Sequence, residues 1–144
     1  MNLSHHPDQM KAIAGSTHGH RDSRLSHELI GAAIEVHRLL GPGLLESAYC
    51  RCLSHELSLR GVEHRREVEI PVEFKGVKLD CGYRADLVVS GSILVEVKAL
   101  EALNPRHTAQ ILTYLRLSRL RLGLLLNFHA TVLKNGIRRV VNNY

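Results

Sequence analysis

The stretch from Tyr83 to Leu100 constrains the fold of this chain more than any other, because it combines the pattern of a β-hairpin with charges on one face. Two apolar runs of Val, Leu and Ile, at 87–89 and 93–95, flank the short polar segment 90–92, which is the pattern of two strands joined by a tight loop. We take the loop as three residues. A two-residue loop would shift the pairing by one position and also fits the sequence.

With a three-residue loop, Asp86 faces Glu96, Arg84 faces Lys98 and Val88 faces Leu94. All six side chains point to the same side of the hairpin. The opposite side is uniformly apolar and consists of Ala85, Leu87, Val89, Ile93, Val95 and Val97. This regular separation of charged and apolar positions favours the three-residue register.

Two facing carboxylates need compensation, because their Cβ atoms lie about 5 Å apart and like charges at that distance destabilise a sheet. A divalent metal ion with oxygen ligands is a compact solution for Asp86 and Glu96. Lys98 would lie beside such an ion, where it could orient a water molecule or stabilise a developing negative charge. An exposed face on which Arg84 neutralises Asp86 and Lys98 neutralises Glu96 fits the same residues, so both interpretations stay open at this point.

Composition predicts one globular domain with an aliphatic core, since 44% of the 144 residues are hydrophobic, only 4% are aromatic and Trp is absent. The net charge of +5 favours a polyanionic partner such as nucleic acid, although an ordinary basic protein has the same balance.

Cys50, Cys52 and Cys81 are odd in number and lack the paired spacing of a structural zinc site or a disulfide framework. They are typical of a reducing compartment. No stretch has the apolar length of a signal peptide or a membrane span, so we expect a cytoplasmic protein with no membrane partner.

Residues 1–22 are polar, aperiodic and rich in His, Gly and Ser, which predicts a flexible tail followed by one domain over residues 23–144. We assign no function to the four histidines of this tail, which are His5, His6, His18 and His20.

The rest of the chain alternates between helical and strand patterns. In chain order we predict helices at 23–40 and 44–60, a long strand at 62–74, a short segment at 77–81, the hairpin, a helix at 105–117, a buried strand at 123–128 and a last hairpin turning at Asn135-Gly136. A helical crossover makes the second hairpin strand and the strand at 123–128 parallel. The predicted fold class is therefore an α/β sandwich with a mixed sheet.

Two helices add polar groups. Glu46 lies in the first turn of the second helix, where the helix dipole favours an acid, and it would also point at whatever lies beside that helix end. Tyr49, one turn later, would point the same way. On the third helix His107, Gln110 and Tyr114 form a polar stripe, a pattern that a solvated helix face also produces.

The segment from Gly41 to Tyr49, GPGLLESAY, resembles the signature of the GxxExxY family, with Gly43, Glu46 and Tyr49 at the matching positions. That family belongs to the PD-(D/E)XK nuclease superfamily.

Further matches to the superfamily follow in order along the chain. They are the sequence RADL around Asp86, the triplet 96–98 and the QxxxY pattern formed by Gln110 and Tyr114. The Pro-Asp pair of the superfamily name is Ala-Asp here, a substitution that the superfamily tolerates. The similarity extends roughly from Leu25 to Val141.

The resemblance implies a restriction-endonuclease-like sandwich, with a central mixed β-sheet flanked by helices, that binds Mg²⁺ and accepts Mn²⁺ as a substitute. The implied metal ligands are Glu46, Asp86, Glu96 and the backbone carbonyl of Val97. The implied catalytic residues are Glu46, Asp86, Glu96, Lys98 and Gln110, among which Lys98 activates or orients the attacking water.

Three further residues are expected in the same cleft. Tyr114 would position water or a phosphate, and Tyr49 would line the cleft from the second helix. His107 could contact a phosphate, although an ordinary surface histidine explains it equally well. For a nucleic-acid-binding module, further candidate phosphate contacts are Arg60, Arg65, Arg66, Arg116, Arg119 and Arg121, although a solvated surface explains most of them as well.

The function implied by the resemblance is a Mg²⁺-dependent nuclease that hydrolyses phosphodiester bonds of DNA, rather than RNA, with metal-activated water. The alternative is a non-catalytic nucleic-acid or protein-binding module that retains the nuclease fold. A subunit of a larger complex is a third option, and a homodimer is considered because superfamily members often dimerise.

Overall fold

The computed structural model describes the backbone of residues 7–143 and the side chains of residue 19 and residues 21–143. The helices of this part of the chain are α1 (Pro7–Leu40), α2 (Glu46–Leu59) and α3 (Pro105–Ser118), with a short 3-10 helix at Leu133–Gly136. The strands are β1 (His64–Glu69), β2 (Val72–Phe74), β3 (Val77–Leu79), β4 (Arg84–Val89), β5 (Ile93–Lys98), β6 (Leu122–Asn127) and β7 (Ile137–Val141).

Five strands form one mixed sheet in the order β1-β4-β5-β6-β7, while β2 and β3 form a separate two-stranded sheet. β5 and β6 are parallel and are connected through α3, and the other neighbours in the large sheet are antiparallel. The predicted α/β class with a mixed sheet is confirmed, as is the parallel pairing across the helical crossover.

The large sheet separates two apolar clusters. On one side, α1 and α2 pack against alternate residues of the central strands, such as Val95 and Leu124. On the other side, α3 packs against the residues between them, such as Leu94 and Leu125. β6 is buried along its whole length, which explains why its sequence is an unbroken apolar run rather than an alternating one.

The predicted hairpin has the three-residue register, because Leu87 pairs with Val95 and Val89 with Ile93. The regular pairing ends there, one residue short of Asp86 and Glu96. The alternation of side chains between the two faces of β4 also ends at this point. The sequence predicted Ala85 on the same face as Leu87, but Ala85 packs in the cluster under α3 and Leu87 in the cluster under α1 and α2.

α1 begins at Pro7, well before the predicted start at residue 23. Once the packed second half of α1 has formed, each further residue of adequate helix propensity joins the helix at little cost. The helix can therefore continue into the aperiodic segment that precedes residue 23. The helix therefore overlaps residues 7–22 of the predicted tail, whose residues 1–6 lie outside the described part of the chain. None of the described helices combines the length and apolar character needed to cross a membrane.

Two other predicted elements differ from the structure. The long strand at 62–74 is divided before Pro71 into β1 and β2, which join different sheets, because Pro71 has no N–H to donate. The prediction of a last hairpin is wrong, because Leu133–Gly136 form a 3-10 helix instead of a strand and a turn. A Cβ at Gly136 would also collide with the backbone carbonyl of Asn127. Gly136 thus serves close packing rather than a two-residue turn.

Candidate active site

Asp86 and Glu96 lie at the end of the β4–β5 hairpin, where the regular strand pairing stops. The Val97 N–H donates to Asp86 Oδ2 at 2.7 Å, and the Asp86 N–H donates to Glu96 Oε1 at 3.2 Å. Each carboxylate therefore replaces a backbone acceptor of the interrupted ladder. Both side chains are held facing one another by hydrogen bonds to rigid strands.

The electrostatics of this pair are unfavourable for two negative charges. Glu96 is only 5% exposed, and burial, followed by the negative charge of Asp86, raises the pKa of Glu96 to about 8. Burial also raises the pKa of Asp86, while its hydrogen bond from Val97 and the charge of Lys98 offset part of the rise. Burial thus makes the doubly charged state of this carboxyl pair unfavourable.

The arginine that could have neutralised Asp86 is engaged elsewhere. Arg84 donates to Asp80 Oδ1 at 3.1 Å and to Asp80 Oδ2 at 3.2 Å, so it forms a two-pronged surface pair with that residue. Lys98 is close enough for its charge to act on both acids, yet among the described residues it forms no ion pair within 4.0 Å. A solvated face of neutralised charges does not describe this site.

Asn127 fixes the chain that follows Lys98. It lies beside Lys98 in the parallel β5–β6 register and is buried. Its Oδ1 accepts from the Leu100 N–H at 3.0 Å, and its Nδ2 donates to the Leu100 carbonyl at 2.9 Å. Sequence reasoning missed Asn127, although a lone polar residue near the end of an apolar strand run was a signal for it.

Glu46 comes to the same end of the sheet from the start of α2. Its Oε1 accepts from the Ala99 N–H at 3.4 Å, immediately after Lys98. Burial is the main cause of the raised pKa of Asp86 and Glu96, and the negative charge of Glu46 adds to it. Three predicted acids therefore act on one another electrostatically.

Tyr49 does not line this site, contrary to the prediction. It is fully buried, its ring stacks on Phe128 at 4.5 Å between centroids, and its hydroxyl donates to the Gly41 carbonyl at 2.5 Å. The same hydroxyl accepts from the Leu44 N–H at 3.1 Å. Tyr49 thus holds the loop between α1 and α2, which sets the start of α2 and with it the position of Glu46.

Two residues of the polar stripe on α3, Gln110 and Tyr114, have different surroundings. Tyr114 is 6% exposed, and burial and then the charge of Glu96 raise the pKa of its hydroxyl. Gln110, on the exposed side, donates from Nε2 to the Tyr114 hydroxyl at 3.3 Å. Gln110 and Tyr114 are therefore linked, and Tyr114 borders the acids.

His107 belongs to a helix cap instead of the cleft. Its Nδ1 accepts from the Asn104 N–H at 3.1 Å, while Asn104 Oδ1 accepts from the Arg106 N–H at 2.8 Å. This reciprocal arrangement is a capping box at the start of α3. The interpretation of His107 as a phosphate contact has no support in this geometry.

Neighbouring groups from α2 and β1 complete the surroundings. Burial, and then the charges of Asp86, Glu96 and Glu46, raise the pKa of the Cys50 thiol to about 12, so Cys50 is an unreactive thiol that packs against the core. Glu67 interrupts the β1–β4 ladder beside Asp86 and has a left-handed backbone, with φ of 49°. The strands on both sides of Asp86 thus depart from regular pairing.

The arginines predicted as phosphate contacts have different surroundings in the structure. Arg60 is engaged by Glu56 at 3.0 Å and by Glu28 at 3.2 Å, which makes it a structural ion-pair residue. Arg65 and Arg119 line a cavity of about 490 Å³ between β1, α3 and the two-stranded sheet. None of the acids described above lines this cavity.

The donor set can be compared with the needs of a metal ion. Within the described residues, no group of three His, Cys, Asp or Glu side chains is arranged to hold a metal. Asp86 and Glu96 nevertheless offer carboxylate oxygens, which suit hard cations such as Mg²⁺, and burial, which raises the pKa values of both, makes a bound cation favourable for their charged forms. The pair fits two ligands of such an ion, and Glu46, whose charge acts on both acids, is the third ligand that the sequence predicted.

Comparison with known proteins gives one match. A family model of the PD-(D/E)XK nuclease superfamily matches residues 23–140. No curated protein and no solved structure matches the chain. The mixed five-stranded sheet with its three helices is consistent with the restriction-endonuclease-like fold of that superfamily. Since the match spans most of its length, the chain belongs to the PD-(D/E)XK nuclease superfamily.

Proposed function

We propose that this protein is a nuclease of the GxxExxY family that hydrolyses phosphodiester bonds of DNA, with Mg²⁺ as its cofactor and Mn²⁺ as a substitute. Members of the superfamily are generally nucleases and typically use divalent metals. The observation that carries the proposal is the pair Asp86 and Glu96, held face to face by backbone hydrogen bonds and withdrawn from solvent at the end of the hairpin.

Each site residue has a role in this proposal. Asp86 and Glu96 would hold the metal, with Glu46 and the Val97 carbonyl as further ligands. The metal, when bound, would supply Lewis-acid stabilisation and activate a water molecule. Lys98, at the end of β5, would orient that water and stabilise negative charge on the phosphate.

Gln110 and Tyr114 would act on the substrate side. Their hydrogen bond leaves one Gln110 N–H to donate to a phosphate or a water molecule, and the Gln110 carbonyl oxygen to accept from water. Because no Ser, Cys or His is needed as a nucleophile in this chemistry, the unreactive Cys50 and the capping His107 do not weaken the proposal.

Cleavage by the purified full-length protein tests the proposal. With Mg²⁺ or Mn²⁺ it should degrade DNA of single-stranded or double-stranded form, and EDTA should stop the reaction. Asp86→Asn, Glu96→Gln and Lys98→Met should each reduce the rate at least about 100-fold, as removal of one key polar group in an active site does. Glu73→Gln, the same change at an exposed position, should leave the rate unchanged.

Cleavage that persists in all three site variants would overturn the assignment. A matched RNA substrate tests the expectation that DNA is preferred.

The alternative, a binding module that retains the fold, is favoured by one observation: no group of three metal-binding side chains is assembled among the described residues. Calorimetry separates the two. Salt-dependent DNA binding without any Mg²⁺ binding would support the module, since phosphate contacts weaken with salt whether or not the protein cuts.

Two further expectations accompany the nuclease proposal. Free thiols at Cys50, Cys52 and Cys81 support a cytoplasmic, reducing location. A homodimer stays a prediction, which light scattering on the purified protein tests.

A further inference from the structure

An exposed aromatic ring lies against Tyr114 of α3, the tyrosine on which the charges of the acidic pair act. Tyr83 immediately precedes β4, and its carbonyl accepts from the Ile70 N–H at 2.9 Å, so the backbone that carries the ring is tied to the end of β1. The ring lies 5.8 Å from the ring of Tyr114, at an angle of 53°. Tyr83 is 44% exposed, while Tyr114 beneath it is almost fully buried.

This aromatic pair is close to the residues proposed to cut the substrate. Tyr83 is three positions before Asp86 on the same chain segment, and Tyr114 feels the charges of both Glu96 and Asp86. Gln110 supports the pair through its hydrogen bond to the Tyr114 hydroxyl. Tyr114 is thus held in place by Gln110, while the ring of Tyr83 is exposed to solvent beside the site.

The other described aromatic side chains do not share this position. Tyr49 and Phe128 stack on one another in the core, and Phe74 lies on the separate two-stranded sheet. In a chain with only two Phe, four Tyr and no Trp, two rings therefore meet beside the acids.

Building on the proposed nuclease function, we propose that Tyr83 stacks on an unpaired base next to the scissile phosphate, so that the substrate is a single-stranded segment. A planar ring stacks on any base, because every base has an apolar face. A base inside a duplex is already stacked between its neighbours and offers no free face, whereas a single strand does. Tyr83 is accordingly a substrate-binding residue that selects strandedness, not a catalytic residue.

Binding to matched oligonucleotides tests this inference. The full-length protein would carry Glu96→Gln to prevent cleavage, and fluorescence anisotropy with Mg²⁺ would measure its affinity for a labelled single strand and for the blunt duplex of the same sequence. Adding Tyr83→Leu, which keeps an apolar contact for Tyr114 but removes the ring, should weaken single-strand binding about 5-fold to 100-fold. Duplex binding should change less than about 2-fold.

Two control variants sharpen the comparison. Tyr83→Phe keeps the ring and should bind both oligonucleotides as the parent does. Phe74→Ala removes a more exposed ring, 63% exposed, from the two-stranded sheet and should also have no effect. A single strand that contains 2-aminopurine should lose fluorescence on binding to the parent and to Tyr83→Phe, since stacking on a ring quenches it, but not on binding to Tyr83→Leu.

The outcomes separate this inference from the nuclease proposal. Unchanged single-strand affinity in Tyr83→Leu, an equal loss on single strand and duplex, or equal 2-aminopurine quenching would overturn it, even if the wild-type protein cuts DNA. A parent that binds neither oligonucleotide would overturn the stacking inference, and the nuclease proposal also fails if the wild-type protein cuts no DNA. Selective loss in Tyr83→Leu supports the stacking role.

Discussion

Asp86 and Glu96 are joined by a hydrogen bond in which the Asp86 N–H donates to Glu96 Oε1 at 3.2 Å, across the point where β4 and β5 stop pairing regularly. A second bond, from the Val97 N–H to Asp86 Oδ2 at 2.7 Å, holds the other carboxylate in place. Both acids are therefore fixed by the backbone before any cation binds. Their position costs stability and creates a site for positive charge.

Folding stability of the wild-type chain without divalent metal should fall as the pH rises from 4.5 to about 8. The pKa of Glu96 is raised above its ordinary value, mainly by burial, so in this window the folded chain holds a proton that the unfolded chain has released. Deprotonation therefore favours the unfolded chain. Each unit of pKa difference corresponds to about 1.4 kcal/mol, which thermal unfolding in EDTA detects readily.

Glu96→Gln should lose much less stability over the same pH range, because an amide does not titrate. Glu73→Gln, at an exposed position, should follow the wild-type curve. Parallel curves for the wild type and Glu96→Gln would contradict the role of burial at Glu96.

Mg²⁺ or Mn²⁺ should raise the melting temperature of the wild-type protein at pH 8, because a ligand that binds only the folded chain stabilises it. At a metal concentration about 100 times the Kd, the stabilisation is about 2.7 kcal/mol, or about 5 to 10 °C for a chain of this size. Asp86→Asn combined with Glu96→Gln should abolish the shift. An equal shift in that double variant, at matched ionic strength, would mean that the metal binds elsewhere.

Tyr49→Phe should destabilise the fold by about 1 to 3 kcal/mol, because it leaves the Gly41 carbonyl and the Leu44 N–H without their partner while the stack on Phe128 remains. Nucleic-acid affinity of the folded variant should change less than about 2-fold. Urea unfolding and anisotropy measure the two effects. A stable variant with impaired binding would instead place Tyr49 in the cleft.

His107→Ala should cost about 1 kcal/mol of stability through loss of the cap on α3, with no specific effect on nucleic-acid binding. His107→Gln should retain most of the stability, because Gln is an accepted partner in a capping box. Both variants, compared by urea unfolding and by oligonucleotide affinity at low salt, distinguish the cap from a phosphate contact. Weaker binding in both variants at unchanged stability would favour the phosphate contact.

The register of the β4–β5 hairpin could be predicted because it depends on a short loop and on the alternation of neighbouring residues. The parallel pairing of β5 with β6 followed from a handedness rule for helical crossovers, which is equally general. The Asn135-Gly136 pair is an equally strong local pattern, but the hairpin turn predicted from it was wrong. Gly136 lies against the Asn127 carbonyl, so packing decides its conformation. The predicted start of α1 was also wrong, because a helix can extend beyond its packed part through residues that have no apolar stripe in the sequence.

The sequence by itself determined the alternation that brings Asp86 and Glu96 to one end of a hairpin, the apolar run of β6 and the order of the elements. Only the tertiary structure decided which groups from distant segments surround the acids: Glu46 reaches Ala99 from α2, and Tyr83 meets Tyr114 of α3. The physical reason is the separation along the chain between the residues that interact. Strand alternation is set by adjacent residues, whereas burial, charge compensation and aromatic contact depend on segments that only packing brings together.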